Sequence, residues 1–197
     1  MHNGMVGSFT RSEERAQIAG HAPVILACLL TAAAGIYPCG LLLTRKADYV
    51  MIPLVLATDE VIETGDGATQ IFAGTLAGFP VEPGTLVITD GVETFADDGS
   101  GRLVGSAGGT GTINYKTGTY ALDFNANVVN EVDVTADYIT AFDGVLDEEV
   151  DTAASASGLY VGHGTVDTNV LKVGKVDKTA PTAALLMLMQ KKGVYPK

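Results

Sequence analysis

The sequence predicts a mainly β protein with a short C-terminal helix: an α+β core whose two halves are separated by an inserted antiparallel β-sandwich. Three patterns lead there. Between Val24 and Leu56 the chain is a series of short apolar runs cut by turn residues, which are strand lengths. Between residues 57 and 136 most of the Gly and Thr residues collect and hydrophobicity alternates with a period of two, as expected for sheets wet on one face. Only the last twenty residues string together strong helix formers.

Residues 1–20 are polar and glycine-bearing, with Met1, Met5, Val6, Phe9 and Ile18 scattered at no sustained period. They read as a mobile N-terminal arm in which Met5, Val6 and Phe9 supply apolar side chains that a partner could bury. The next segment, residues 22–43, is the most hydrophobic of the chain, but Pro23, Gly35, Pro38 and Gly40 interrupt it. Its uninterrupted stretch from Val24 to Ala34 is about half the length of a bilayer span, so no membrane partner is expected. Arg11 and Arg15 before that stretch suggest a secretory leader, but Glu13 and Glu14 break its basic region. Strands are expected at Val24 to Leu30, around Ile36, at Leu41 to Leu43 and at Val50 to Leu56, with a helical turn within Leu29 to Ala34 and a polar break at Arg45 to Asp48.

The clearest local pattern is a hairpin. Ile113 and Tyr115 alternate with Thr112, Asn114 and Lys116, then Tyr120, Leu122 and Phe124 alternate with Thr119, Ala121 and Asp123, and Thr117-Gly118 lies between as a tight turn. Similar strands are expected at Gln70 to Leu76, Thr85 to Thr89 and Val128 to Val134, separated by Pro83-Gly84, Asp90-Gly91 and Asp98-Gly99-Ser100-Gly101. After residue 136 the core resumes. Strands are expected near Tyr138 to Phe142, at Leu159 to Thr165 and at Val170 to Val173, with a solvated acidic loop at Asp147-Glu148-Glu149. The closing helix has Thr179 as its expected N-cap, Pro181 in its first turn and Gly193 as its left-handed stop. Leu185 to Met189 are apolar in succession, so the helix needs cover on more than one side, and Leu185, Leu188 and Met189 are candidates for an oligomer interface. The domain reading is therefore an arm of 1–20, a core of 21–56 with 137–197, and an inserted β-domain of 57–136.

Composition narrows the function classes. With 12 Lys and Arg against 23 Asp and Glu, the net charge is -11, which opposes neutralisation of a phosphate backbone and so nucleic-acid binding. Cys28 and Cys39 form no Cys-x-x-Cys pair and read as reduced, partly buried thiols. Gly162-His163-Gly164 reads as a structural histidine, while His2 lies in the arm and His21 at its end. Ser106 lacks the spacing of a nucleophile elbow, and Gly108-Gly109-Thr110-Gly111 lacks the lysine and helix of a phosphate cradle. Gly65-Asp66-Gly67 and Asp97-Asp98-Gly99 lack the spaced carboxylates of a calcium loop. No enzyme, cofactor or metal is expected.

The flanks carry a resemblance. Ala22 to Ala47 and Ala141-Phe142-Asp143-Gly144-Val145-Leu146-Asp147-Glu148-Glu149-Val150-Asp151 resemble head decoration (cement) proteins of the lambda type from tailed bacteriophages. Val161-Gly162-His163-Gly164-Thr165-Val166, Asn169-Val170-Leu171 and the ending Lys191-Lys192-Gly193-Val194-Tyr195-Pro196 are similar to that family's closing strands, helix and terminus. The resemblance covers about half the chain in two pieces. The middle, including Pro80 to Thr85 and Gly109 to Tyr115, looks instead like β-rich modules of phage tail, baseplate and other virion proteins. The resemblance implies a homotrimer made in the bacterial cytoplasm and placed on the capsid exterior, where it clamps the major capsid protein while its arm orders by strand addition to the shell. A tail or baseplate protein, or an exported surface-binding protein, is the alternative.

Overall fold

The computed structural model describes residues 14–197. Strands β1 Val24–Leu30, β2 Ile36–Tyr37, β3 Leu42–Arg45 and β4 Val50–Pro53 come first. Then follow β5 Leu56–Thr64, β6 Ile71–Thr75, β7 Val87–Thr89, β8 Thr94–Asp97, β9 Arg102–Gly105, β10 Thr110–Asn114, β11 Thr119–Asp123 and β12 Asp133–Ile139. The chain ends with β13 Gly144–Leu146, β14 Val150–Asp151, β15 Ser157–Val166, helix α1 Ala183–Lys191 and β16 Val194–Pro196. The described chain is mainly β with one short C-terminal helix.

The strands sort by sequence position. A six-stranded sheet runs β1-β4-β3-β13-β15-β16, and β1 also pairs with β15, so the sheet returns on itself as a small, nearly closed barrel. All pairings around the ring are antiparallel except β1 with β4, and β16 adds to the far end of β15 in parallel. Leu41, Leu42 and Leu43 are all fully buried, because this part of the sheet has a core on each face. Leu42 packs with Val145, Val161, Leu185 and Met189 under the helix, whereas Leu41 and Leu43 join Tyr37, Met51, Leu146 and Tyr160. A continuous apolar run is the sequence signature of a strand covered on both faces.

The strands from Leu56 to Ile139 make a second, eight-stranded antiparallel sheet in the order β5-β12-β7-β8-β9-β10-β11-β6. It wraps one core centred on Phe72, Phe95, Leu103, Leu122 and Phe124, in which the rings of Phe72 and Phe95 both meet Phe124 edge to face. The expected two-layer sandwich is corrected: one curled sheet buries its inner face on itself. Its edges approach through side chains. On β5, Glu60 accepts a hydrogen bond from the Ala77 amide just after β6 (2.9 Å) and the Ile62 carbonyl accepts one from the Tyr120 hydroxyl (3.3 Å).

Several local expectations also shift. The hairpin of β10 and β11 has its expected alternation, but its last pair is Asn114 with Thr119, so the connection is the four residues 115–118, with Gly118 at φ 70°. The strand expected at Val128 to Val134 begins only at Asp133 and runs through residue 137, which moves the end of the central sheet to Ile139. Residues 31–34 form a turn and no helix. Of the strand expected at Val170 to Val173, Val170 closes a 3-10 turn that begins at Thr168, and Lys172 and Val173 make isolated bridges to Leu41 and Thr179. Thr182 caps α1 by accepting from the Leu185 amide, three residues later than expected, because Pro181 precedes the cap. Gly193 follows the helix at φ 88°.

The chain crosses between the sheets twice, and the crossings are bonded to each other. Thr140, fully buried, donates its amide to the Val55 carbonyl (3.0 Å) and accepts the Val55 amide on Oγ1 (2.8 Å). The Oγ1 atoms of Thr140 and Thr44 are 2.8 Å apart. Beside them Glu82, almost buried, donates its amide to Ile139, accepts the Phe142 amide (3.3 Å) and pairs with Lys192 after the helix (2.9 Å).

Three tyrosines of the central sheet set its response to alkali. Desolvation raises Tyr115 and Tyr120 from an ordinary value near 10 to about 12, reinforced by the Asp97 carboxylate that accepts from Tyr115 and by Glu63 and Glu60 near Tyr120. Burial and the Glu60 carboxylate push Tyr138 up as well. Between the unfolded and folded values the unfolded chain binds fewer protons, so stability falls as pH rises. Chemical unfolding followed at stepped pH should therefore show a loss of stability that begins near pH 9, where the unfolded Cys28 and Cys39 thiols ionise while the buried ones do not, and steepens from about pH 10 toward pH 12 as the tyrosines join. The Tyr138→Phe variant should lose less over that window than the wild type.

Candidate functional site

The positions singled out in the sequence separate in the structure. Met5, Val6 and Phe9 lie outside the described residues. Leu185 and Met189 are fully buried in the protein's own core, and Leu188 is half-buried, so α1 finds its cover within the subunit. The exposed apolar side chain on the helix is Met187, which borders a cavity of about 460 Å³ between α1 and residues 82–85.

The last residues assigned to the mobile arm are docked. Ala16 is fully buried, and residues 16–18 run antiparallel to the end of β15 through Ile18 N to Thr165 O (3.1 Å) and Asp167 N to Ala16 O (2.9 Å). What holds them is Asp147. Expected in a solvated loop, it is fully buried. Its carboxylate accepts the Gln17 amide (2.8 Å) and pairs with Arg15, while its carbonyl accepts the Ala16 amide (2.9 Å). A buried carboxylate needs such partners, since desolvating it unpaired costs several kcal/mol. Glu148, next in sequence, is the half-exposed residue that sits 3.9 Å from the same Arg15.

A second buried carboxylate explains the glycine-rich segment. Glu93, between β7 and β8, accepts the amides of Gly109 (2.7 Å), Ala107 (3.1 Å) and Asn125 (2.8 Å). A Cβ at Gly105 or Gly109 would lie 2.3 or 2.7 Å from its Oε1. The loop thus wraps an internal anion, which is why glycines recur without a phosphate-binding lysine. Ser106 within it accepts the Thr94 amide on Oγ (3.0 Å). Asp66 and Asp98 are likewise occupied by the amides and hydroxyls of their own turns.

The surface that stands out is apolar and lies on the barrel. Strand β1 presents Val24, Leu26, Ala27 and Leu29 outward, Leu26 at 44% and Leu29 at 54% exposure. Leu26, Ala27 and Leu29 rim a cavity of about 400 Å³ together with Tyr49, which is 73% exposed, and Met51. Arg45 enters its wall with the guanidinium carbon 5.8 Å from the centre of the Tyr160 ring, and its Nε donates to Asp143 (2.7 Å). Contiguous apolar surface rimmed by paired polar groups marks contact sites. No signal distinguished β1 from a strand covered on both faces, because an apolar run reads alike in a core and at an interface.

The described residues contain no group of three or more His, Cys, Asp and Glu placed to hold a metal ion, and among them no helix is long and apolar enough to cross a membrane. Compared with known proteins, the chain matches no family model, no curated protein and no solved structure.

Two outcomes follow. Replacing Asp147 by Ala leaves the Gln17 amide without its acceptor and removes the buried partner of Arg15, and should lower unfolding free energy by about 1–3 kcal/mol in urea titrations. Cys28 and Cys39 are free and buried. Desolvation raises both thiols, Cys39 to about 12 with Glu14 adding to the effect. Neither should react with a disulfide reagent at pH 8 until denaturant is added, when both titrate.

Proposed function

We propose that this protein is a structural component of a virion that binds the exterior of a bacteriophage capsid as a trimer and stabilises the shell, with no reaction of its own. The flanking segments form the body that grips neighbours, and residues 56–139 project from it as an inserted domain. The single observation that carries this reading is the exposed apolar face of β1, which lies on the body built from the two flanks that resemble decoration proteins. It moves the proposed self-contact from Leu185, Leu188 and Met189 to Val24, Leu26 and Leu29.

The root of the arm supports the same reading. Residues 16–18 are held against β15, so whatever Met5, Val6 and Phe9 contact on the major capsid protein is tethered at a fixed point of the body. Short tethers raise the effective concentration of a second contact, and modest contacts repeated over a lattice add up to resistance against rupture. The acidic surface, from a net charge of -11, keeps unattached copies soluble.

Light scattering of the purified protein should give three times the chain mass. The double variant Leu26→Asp with Leu29→Asp should give one chain mass while retaining its β circular dichroism. Mixed with heads lacking the protein, the wild type should co-sediment with heads and not with tails. Removal of residues 1–13 should abolish that binding and leave the trimer intact. A monomeric wild type refutes the self-contact, and co-sedimentation with tails alone refutes the capsid assignment.

A further inference from the structure

We propose a second site, independent of the capsid reading: His21 and His163 form a two-histidine site for a divalent transition-metal ion of the nickel or zinc type. The argument begins with the backbone. His163 stands on β15 and Tyr195 on β16, two residues apart in the parallel register that pairs Gly164 with Val194 and Thr165 with Tyr195. His21 arrives from the docked N-terminal segment and is fixed there by its amide, which donates to Thr165 Oγ1 (2.7 Å). Gly20 makes this approach possible, since a Cβ there would lie 2.3 Å from that same oxygen.

These constraints bring His21 Nδ1 to 3.1 Å from His163 Nε2. The Tyr195 ring lies 5.1 Å from the His21 ring and 5.8 Å from the His163 ring, centre to centre, and borders the pair on one side. On its other side His163 sits against Gly193, where a Cβ would come within 2.5 Å of Nδ1. The half-buried His163 is thus held in place, and the exposed His21 retains the freedom to adjust.

In the structure the two nitrogens lie at hydrogen-bond distance, facing each other. An ion about 2.0–2.1 Å from each nitrogen would see them at an angle of about 95–100°. That value falls between the angles of cis ligands in an octahedron and of ligands in a tetrahedron, and imidazole suits nickel and zinc. Swinging the exposed His21 ring off the line between the nitrogens opens the position, and water completes the coordination from the solvent side. Residues from two distant parts of the sequence, 21 and 163, would then be joined by the ion, which would staple the N-terminal segment to β15.

The test uses full-length, tag-free protein carrying His2→Ala, so that the pair supplies the only imidazoles, titrated calorimetrically with Ni²⁺. The expected result is one ion per chain, with affinity weakened about tenfold or more by His21→Ala and equally by His163→Ala. In parallel, Ni²⁺ should raise the unfolding temperature of the background protein and not that of either variant. Should His163→Ala fail to fold, His163→Asn takes its place. Absence of binding, or binding that survives loss of either histidine, overturns the site.

Discussion

The crossing at Val55 and Thr140 is the constraint on which the rest of the architecture depends. The chain leaves the barrel and returns to it through two adjacent extended segments that bond to each other, and the eighty-odd residues between them form a sheet of their own. Thr140 carries three of the relevant contacts through one hydroxyl and one amide. Its burial makes each of them worth keeping, since a polar group stranded there would cost more than the bond contributes. Glu82 extends the clamp from the crossing to the end of the helix through Lys192, so the orientation of the central sheet is tied to the C-terminal segment as well as to the strands it interrupts.

Buried carboxylates are the recurring device. Glu82, Glu93 and Asp147 are each nearly or fully buried, and the carboxylate of each accepts at least one backbone amide from another segment of the chain. Glu93 collects three amides from two loops. Asp147 joins residue 17 to a position 130 residues away. Such groups contribute little net stability compared with an apolar replacement of both partners, but they penalise any arrangement that leaves them unpaired. In a chain built from short strands, where register is weakly specified by four-residue pairings, that penalty helps to select one arrangement.

The sequence was legible where one pattern had one structural cause. The alternation of Ile113, Tyr120, Leu122 and Phe124 marks the inner face of β10 and β11, and β1 runs from Val24 to Leu30 as the apolar run suggested. Strands β8 and β9 escaped notice because each offers a single fully buried residue, Phe95 or Leu103, too few to display a period. The end of the central sheet was misplaced because Asp133 to Ile139 looks like two segments, although its alternation of Val134, Ala136 and Tyr138 is continuous. Asp147 could not be distinguished from Glu148 and Glu149 by composition, since its burial depends on Arg15 and Gln17 arriving from far away in sequence. The pairing of His21 with His163 was hidden for the same reason.

Charge also bears on where copies of this chain can meet. Copies of a protein with 23 acidic residues and 12 basic ones repel one another on average, so the proposed self-contact would favour a face where acidic groups are sparse. Val24 to Leu30 contains no charged residue. The charged side chain lining the adjoining cavity is Arg45, already neutralised by Asp143 at 2.7 Å. Helix α1 offers no equivalent. Leu185 and Met189 face inward, Met187 stands alone as its large exposed apolar side chain, and its end carries Lys191 and Lys192, the latter engaged with Glu82. The same pairing of Arg45 with Asp143 keeps the guanidinium beside Tyr160 and so preserves the apolar wall. Burial of Leu26 and Leu29 in such a contact brings no unpaired charge with it, and the hydrophobic gain is therefore not cancelled by desolvation.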